Sequence, residues 1–215
     1  TYRSRGVSSI TQSIKPIVGS IFASYNIPSP IKHIAEGQNA VDFNLSGGKT
    51  LSVKTNKQAL GKAAPQKIGQ ASSSTWYSHL AKALSIETIP STYAEKARLF
   101  KQIALIRIDE LLALYWENMF DCDYLVHFYN VVDRNDNPTN SPQFVVFEKS
   151  SSPAWDKNKI SFTKSTVAAW NESTTVKYDS VTIGEFQVHN NRDNFKFRFN
   201  MAGVAELLKK NKLTL

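Results

Sequence analysis

One cysteine in 215 residues is too few for a disulfide framework within the chain or for a cysteine-rich zinc site. Cys122 stands among Trp116, Phe120 and Tyr124, a setting for a buried reduced thiol rather than a nucleophile. No uninterrupted apolar run approaches the length that crosses a bilayer, so no membrane span is expected. Acidic residues are in deficit: 18 Asp and Glu stand against 26 Lys and Arg, a net charge of +8. Such a surplus fits a polyanionic partner, because each phosphate contact releases counterions; solubility alone is the plainer explanation. The chain also lacks an initiating methionine and a signal-peptide core behind Thr1-Tyr2-Arg3-Ser4-Arg5. A fragment, or a chain that has lost a disordered end, and a cytoplasmic location are the expectations.

What is present suffices for a folded core, with 41% apolar and 11% aromatic residues. The length is that of one large domain, read as 1–215, with a shift from helical to β-rich near residue 140 dividing a core (1–140) from a second part (141–215). Ile10, Ile14, Ile17, Val18 and Ile21 predict an amphipathic helix over 9–25, kinked or started late by Pro16. Ile31 to Ile34 reads as a short extended piece. Residues 55–75 are polar, small and basic, without a periodicity that would support a buried element. A short helix over 76–87 is followed by a long one from Ser91 or Thr92, with Glu95 in a capping box and an apolar stripe running to about 117. Residues 119–130 read as a further helix. Strands are expected at 144–147, 160–162, 181–188 and 195–199, and a closing helix at 201–210.

The stretch 36–57 is the one with chemistry in it. Val41, Phe43 and Leu45 alternate with Asp42 and Asn44, Ser46-Gly47-Gly48-Lys49 supplies a tight turn, and Leu51 and Val53 alternate with Ser52 and Lys54. Such a hairpin places Asp42, Ser52 and Lys54 on one face. A carboxylate able to hold a divalent cation beside an ammonium is a minimal device for activating water against a phosphodiester. The plainer reading makes Asp42 an exposed strand residue and Lys54 a charge that protects a sheet edge.

This hairpin resembles the core of the PD-(D/E)XK nucleases, the superfamily that holds many type II restriction endonucleases. Asp42 matches the family's aspartate, and Ser52-Val53-Lys54 stands in the place of its acidic-any-lysine triplet. Ser52 departs from the acidic residue and Ala40-Val41 from the preceding proline; members with a neutral amide at the acidic position exist. The resemblance implies an α/β (α+β) fold with a central mixed sheet flanked by helices, here with a β-rich recognition half. It implies a Mg²⁺-dependent, site-specific deoxyribonuclease cutting double-stranded DNA, in a bacterial or archaeal cytoplasm. A homodimer matching the two-fold symmetry of DNA is the simplest assembly. Asp42 and Glu36 become the metal ligands, Lys54 the group that holds or polarises the attacking water, and Ser52 at most a partner of a metal-bound water.

Two further stretches read as DNA contacts. The loop after Lys54 offers Lys57, Lys62 and Lys67 to phosphates and Gln66 and Gln70 to base edges. The segment Gln187, His189, Asn190, Asn191, Arg192, Lys196 and Arg198 reads as a basic two-stranded ribbon with a polar tip. His189 does not make an HNH nuclease, for no second histidine stands at suitable spacing, and His33, His79 and His127 read as structural or surface residues. Glu185 ranks below Glu36 as a ligand. A DNA-binding module without catalysis is the principal alternative, with RNA binding or cleavage third.

Overall fold

The computed structural model describes residues 9–35, 41–149, 152–190, 192–210 and 212. These form a mixed α/β structure in two compact units, interleaved along the chain. One comprises the sequence through Gly61 together with Phe120–Lys149; the other comprises Lys62–Met119 and the sequence after Lys149.

The first unit carries a five-stranded mixed sheet. Its strands are β1 (Pro30–His33), β2 (Phe43–Leu45), β3 (Thr50–Thr55), β6 (Tyr124–Tyr129) and β7 (Gln143–Glu148), in the order β1-β2-β3-β6-β7. Only β3 and β6 run parallel, with Leu51 opposite Tyr124 and Lys54 opposite His127. Helix α1 (Ser9–Ser24) lays Ile10, Ile14, Ile17, Ile21 and Phe22 on one face of this sheet, against Leu51, Val53, Val126 and Phe128. Pro16 lies inside the helix without ending it. Gln12, whose carbonyl loses its intrahelical donor, is on the exposed side, open to solvent. Buried Ser13 donates to the Val131 carbonyl and ties the helix to the chain beyond β6.

The further helix expected over 119–130 is not there: Met119 ends the preceding helix, and the stretch after it contains β6. Leu125, Val126, His127 and Phe128 are all buried, which is the environment of an inner strand covered on both faces rather than of an amphipathic helix.

The second unit carries an antiparallel sheet of β4 (Lys62–Ala63), β5 (Gln70–Ala71), β8 (Ile160–Phe162), β9 (Ser173–Tyr178), β10 (Val181–Val188) and β11 (Phe195–Asn200). The order is β4-β11-β10-β9-β8, with β5 also pairing to β11. The sequence pattern marks neither β9 nor any element within 55–75. There, two-residue strands form on β11, too short to show a period, with Ala63, Ile68 and Ala71 buried. Phe186, Phe195, Phe197 and Phe199 make an aromatic face, on which Phe100 stacks with Phe195 at 4.3 Å and Tyr115 with Phe197 at 4.5 Å.

Those rings come from α3 (Tyr93–Ile106) and α4 (Ile108–Met119), beside α2 (Ser73–Leu80). Thr92 caps α3, accepting from the Glu95 N–H, as the capping-box pattern requires. The single helix expected to about 117 is instead broken at Arg107, whose φ of −117° and ψ of 40° leave the helical region. Arg107 donates to the Leu84 carbonyl and pairs with Glu110, while Asp109 and Glu110 open the new helix where its dipole favours negative charge. Helix α5 (Met201–Lys209) starts at an Asn200 cap and lies so close to β10 that a Cβ on Gly203 would collide with the Thr182 carbonyl oxygen.

Candidate active site

Asp42 lies one residue before β2, held by its own backbone. Its N–H donates to the Leu51 carbonyl at 3.0 Å, and its carbonyl accepts from Ile34 at 2.9 Å, so β1 and β3 clamp it from both sides. Its carboxylate then reaches across to β3. Oδ2 accepts from the Val53 N–H at 2.6 Å and from the Ser52 hydroxyl at 3.1 Å, which fixes the side chain on the Ser52 side of the strand. Oδ1 carries no hydrogen bond among the described residues.

Strand alternation does the rest. Leu51 and Val53 face α1, so Ser52 and Lys54 share the opposite face with Asp42. Ser52 is wholly buried and does not present its oxygen to solvent. The Lys54 amine is held below its ordinary pKa by burial, with Asp42 and then Cys122 pulling the other way. It forms no hydrogen bond or ion pair with any described residue. Cys122 is buried, and desolvation pushes its thiol up to about 11, against the Ser52 backbone hydrogen bond and the Lys54 charge. It stays a thiol at neutral pH.

His127, one strand over and in register with Lys54, completes the face. Its side chain is 1% exposed, and burial, then the Lys54 charge, lowers its pKa to about 4. Nε2 lies 2.6 Å from Asn56 Oδ1. No local pattern singles out this histidine, since the pairing that brings it to Lys54 spans more than seventy positions.

Among the described residues no three His, Cys, Asp or Glu gather as a metal centre. Glu36, expected as the second ligand, lies outside the described residues. Asp123 is committed elsewhere, accepting from Lys49 at 3.0 Å and from both the N–H and hydroxyl of Thr50. Among the described residues the donor on this face is Asp42 Oδ1, which suits a hard cation that keeps most of its waters and takes its remaining oxygens from a phosphate.

The expected DNA-contacting residues belong to both units. Lys57 is exposed and pairs with Asp136 at 2.9 Å. In the second unit, Lys67 and Gln70 are exposed and Gln66 is half-buried. Gln187, Lys196 and Arg198 lie on the polar face of the sheet, half-buried, with Gln187 opposite Lys196 and Glu185 opposite Arg198. Glu185 takes both the Lys62 ammonium and the Arg198 guanidinium, the latter at 3.2 Å, so it acts as their counterion rather than as a free ligand. The two-stranded ribbon expected here is instead the middle of a larger sheet, with β9 on one side and β4 and β5 on the other. Its tip is tied down: the Tyr93 hydroxyl donates to the His189 carbonyl at 2.6 Å and Asn190 donates to Asn171. Arg192 is exposed, and Asn191 lies outside the described residues.

No protein-family model matches the chain, and no solved structure does. The chain is 29% identical over 182 residues to the type II restriction enzyme CviAII of Paramecium bursaria Chlorella virus 1, an alignment covering 84% of this chain and 48% of the relative. The chain thus spans about half the length of that curated relative. Among the described residues, no helix is long and apolar enough to cross a membrane.

Proposed function

We propose that this chain is a site-specific endonuclease of the type II restriction kind, hydrolysing phosphodiesters of double-stranded DNA with Mg²⁺, its catalytic face built on the PD-(D/E)XK plan. One observation carries the reading: the Asp42 carboxylate is pinned to β3 at Ser52 and Val53, one position from a desolvated Lys54 on the same face. The likeness to a type II restriction enzyme and the net charge of +8 support it.

Asp42 would hold the cation through Oδ1, with Glu36 as the expected second ligand. When bound, Mg²⁺ supplies charge neutralisation at the phosphate and a more acidic water. Ser52 does not replace the family's acidic residue as a ligand: its buried hydroxyl donates to Asp42 Oδ2 and fixes which oxygen faces outward. Lys54 presents an ammonium uncancelled by any described carboxylate within ion-pairing range, free to donate to the attacking water and to offset charge that grows on the phosphoryl oxygens. Cations on the polar face of the second unit, Lys196 foremost, would take phosphates of the duplex, and two copies would cut both strands of a two-fold site.

The test is plasmid cleavage in Mg²⁺ by the wild type, Asp42→Ala and Lys54→Ala, each also assayed for binding to a DNA duplex. Loss of nicking with retained binding is the expected result. Undiminished cleavage by both variants overturns the site. Tight, salt-sensitive binding by a wild type that never nicks, with any divalent cation, makes the chain a binding module instead.

A further inference from the structure

Two nitrogens without hydrogen-bond partners, the one on His127 buried and the one on Lys54 half-buried, occupy matched positions of β3 and β6. Lys54 is in register with His127 on the adjacent parallel strand, and both point away from the face covered by α1. His127 Nδ1 is buried and meets no hydrogen-bond partner, and Lys54 Nζ meets none among the described residues. Orphaned buried polar atoms are rare enough in folded proteins to require an explanation.

The protonation state of the ring follows from its neighbour. Asn56 Oδ1 accepts the backbone N–H of Gly61 at 2.9 Å, which identifies that atom as the oxygen rather than the amide nitrogen. The same oxygen lies 2.6 Å from His127 Nε2, and an oxygen with no proton to give can only accept. Nε2 therefore carries the ring proton, and Nδ1 keeps its lone pair. Asn56 follows Lys54 by two residues, just past the end of β3, so the segment that carries the amine also sets the tautomer of the histidine beside it.

We propose that His127 is a positioning residue for Lys54: its Nδ1 lone pair accepts from the Lys54 ammonium, directly or across one bridging water, and fixes where the amine points. The inference rests on the endonuclease reading above. A lysine head on a flexible four-carbon stem has no preferred direction of its own. A carboxylate would hold it but cancel its charge. A neutral imidazole holds it and leaves the full charge for the phosphate, and the low pKa of this ring keeps it neutral.

Two substitutions separate the ring's two nitrogens. His127→Asn keeps an acceptor oxygen where Nδ1 stands and gives up the bond to Asn56. His127→Gln keeps an amide near Nε2 and gives up the acceptor beside Lys54. With unchanged KM for DNA, His127→Gln is expected to lose kcat by ~100-fold, the scale of a misplaced catalytic group, and His127→Asn at least ~10-fold less. The reverse order, or equal losses, overturns the inference, because a merely structural histidine depends on the Asn56 bond. A second readout needs no activity: ¹⁵N NMR of the imidazole should show Nε2 protonated and an Nδ1 resonance that moves in Lys54→Met. A protonated Nδ1, or one indifferent to Lys54→Met, also overturns it. Asp42→Ala run in parallel keeps the two readings apart. Full cleavage by Asp42→Ala sinks the endonuclease site and leaves the NMR result to decide on His127. A dead Asp42→Ala beside equally active His127 variants sinks the positioning role alone.

Discussion

Ser52 donates its hydroxyl to Oδ2 of Asp42 at 3.1 Å from a position with no solvent exposure. A serine at this place thus serves the aspartate rather than competing with it for a cation. Ser52→Ala removes a hydrogen bond to a charged group and is expected to cost roughly 1.5–3 kcal/mol of stability. Oδ2 keeps the Val53 N–H but loses the second of its two restraints, so nicking should fall about tenfold, within the range for removing a ligand-orienting partner. Chemical denaturation and plasmid cleavage measure the two effects; a variant as active and as stable as the wild type contradicts both.

His127 gives the fold an acid-sensitive element. The unfolded imidazole takes up a proton near its ordinary value of 6.5, the folded one only near 4. Between those values the unfolded state binds more protons, so stability falls as pH drops, by at most about 1.4 kcal/mol per pH unit. His127→Asn cannot titrate and should lack this slope. Urea midpoints from pH 7 to pH 4 for both proteins test this, and parallel curves would refute it.

Gly203 is required by the approach of α5 to β10. A methyl group there meets the Thr182 carbonyl, which belongs to backbone and cannot swing aside. Gly203→Ala should destabilise by roughly 1–3 kcal/mol despite the better helix propensity of alanine. A thermal melt at or above the wild-type midpoint would show that the helix shifts freely.

Lys196 and Lys62 distinguish an available cation from a committed one. Lys196 has no ion pair among the described residues, whereas Lys62 is held by Glu185. Lys196→Ala should weaken duplex binding uniformly across sequences and lower the salt-dependence slope by about 1. Lys62→Ala should change that slope less. Binding isotherms at several salt concentrations decide, and equal slopes for both variants would remove the distinction.

The hairpin was legible because its signals are local: alternating Val41, Phe43 and Leu45, two glycines at the turn, and the same period resumed at Leu51 and Val53. That period alone puts Asp42, Ser52 and Lys54 on one face, where the structure has them. Helices α1 and α5 and the Phe195-Phe197-Phe199 strand were legible for the same reason. The strand at 124–129 was not, since a run buried on both faces shows no period, and its neighbour β3 lies far back in sequence. His127 was missed with it. The break at Arg107 has no proline or glycine to announce it, only a guanidinium whose partners include a carbonyl at Leu84. The lone cysteine is buried, as its aromatic surroundings suggested.

The order of the strands in the first sheet also sets a timetable for synthesis. When β3 leaves the ribosome, the strand destined for its other edge has yet to be translated, and the intervening stretch from Lys62 to Met119 belongs to the other unit. Until β6 arrives, one side of β3 displays unpaired amides and carbonyls along a strand that holds the serine and lysine of the proposed centre. Truncation after the hairpin therefore yields a sticky half-sheet rather than a minimal enzyme. Lys54, charged and unpaired, is well placed to keep that nascent edge from joining another chain.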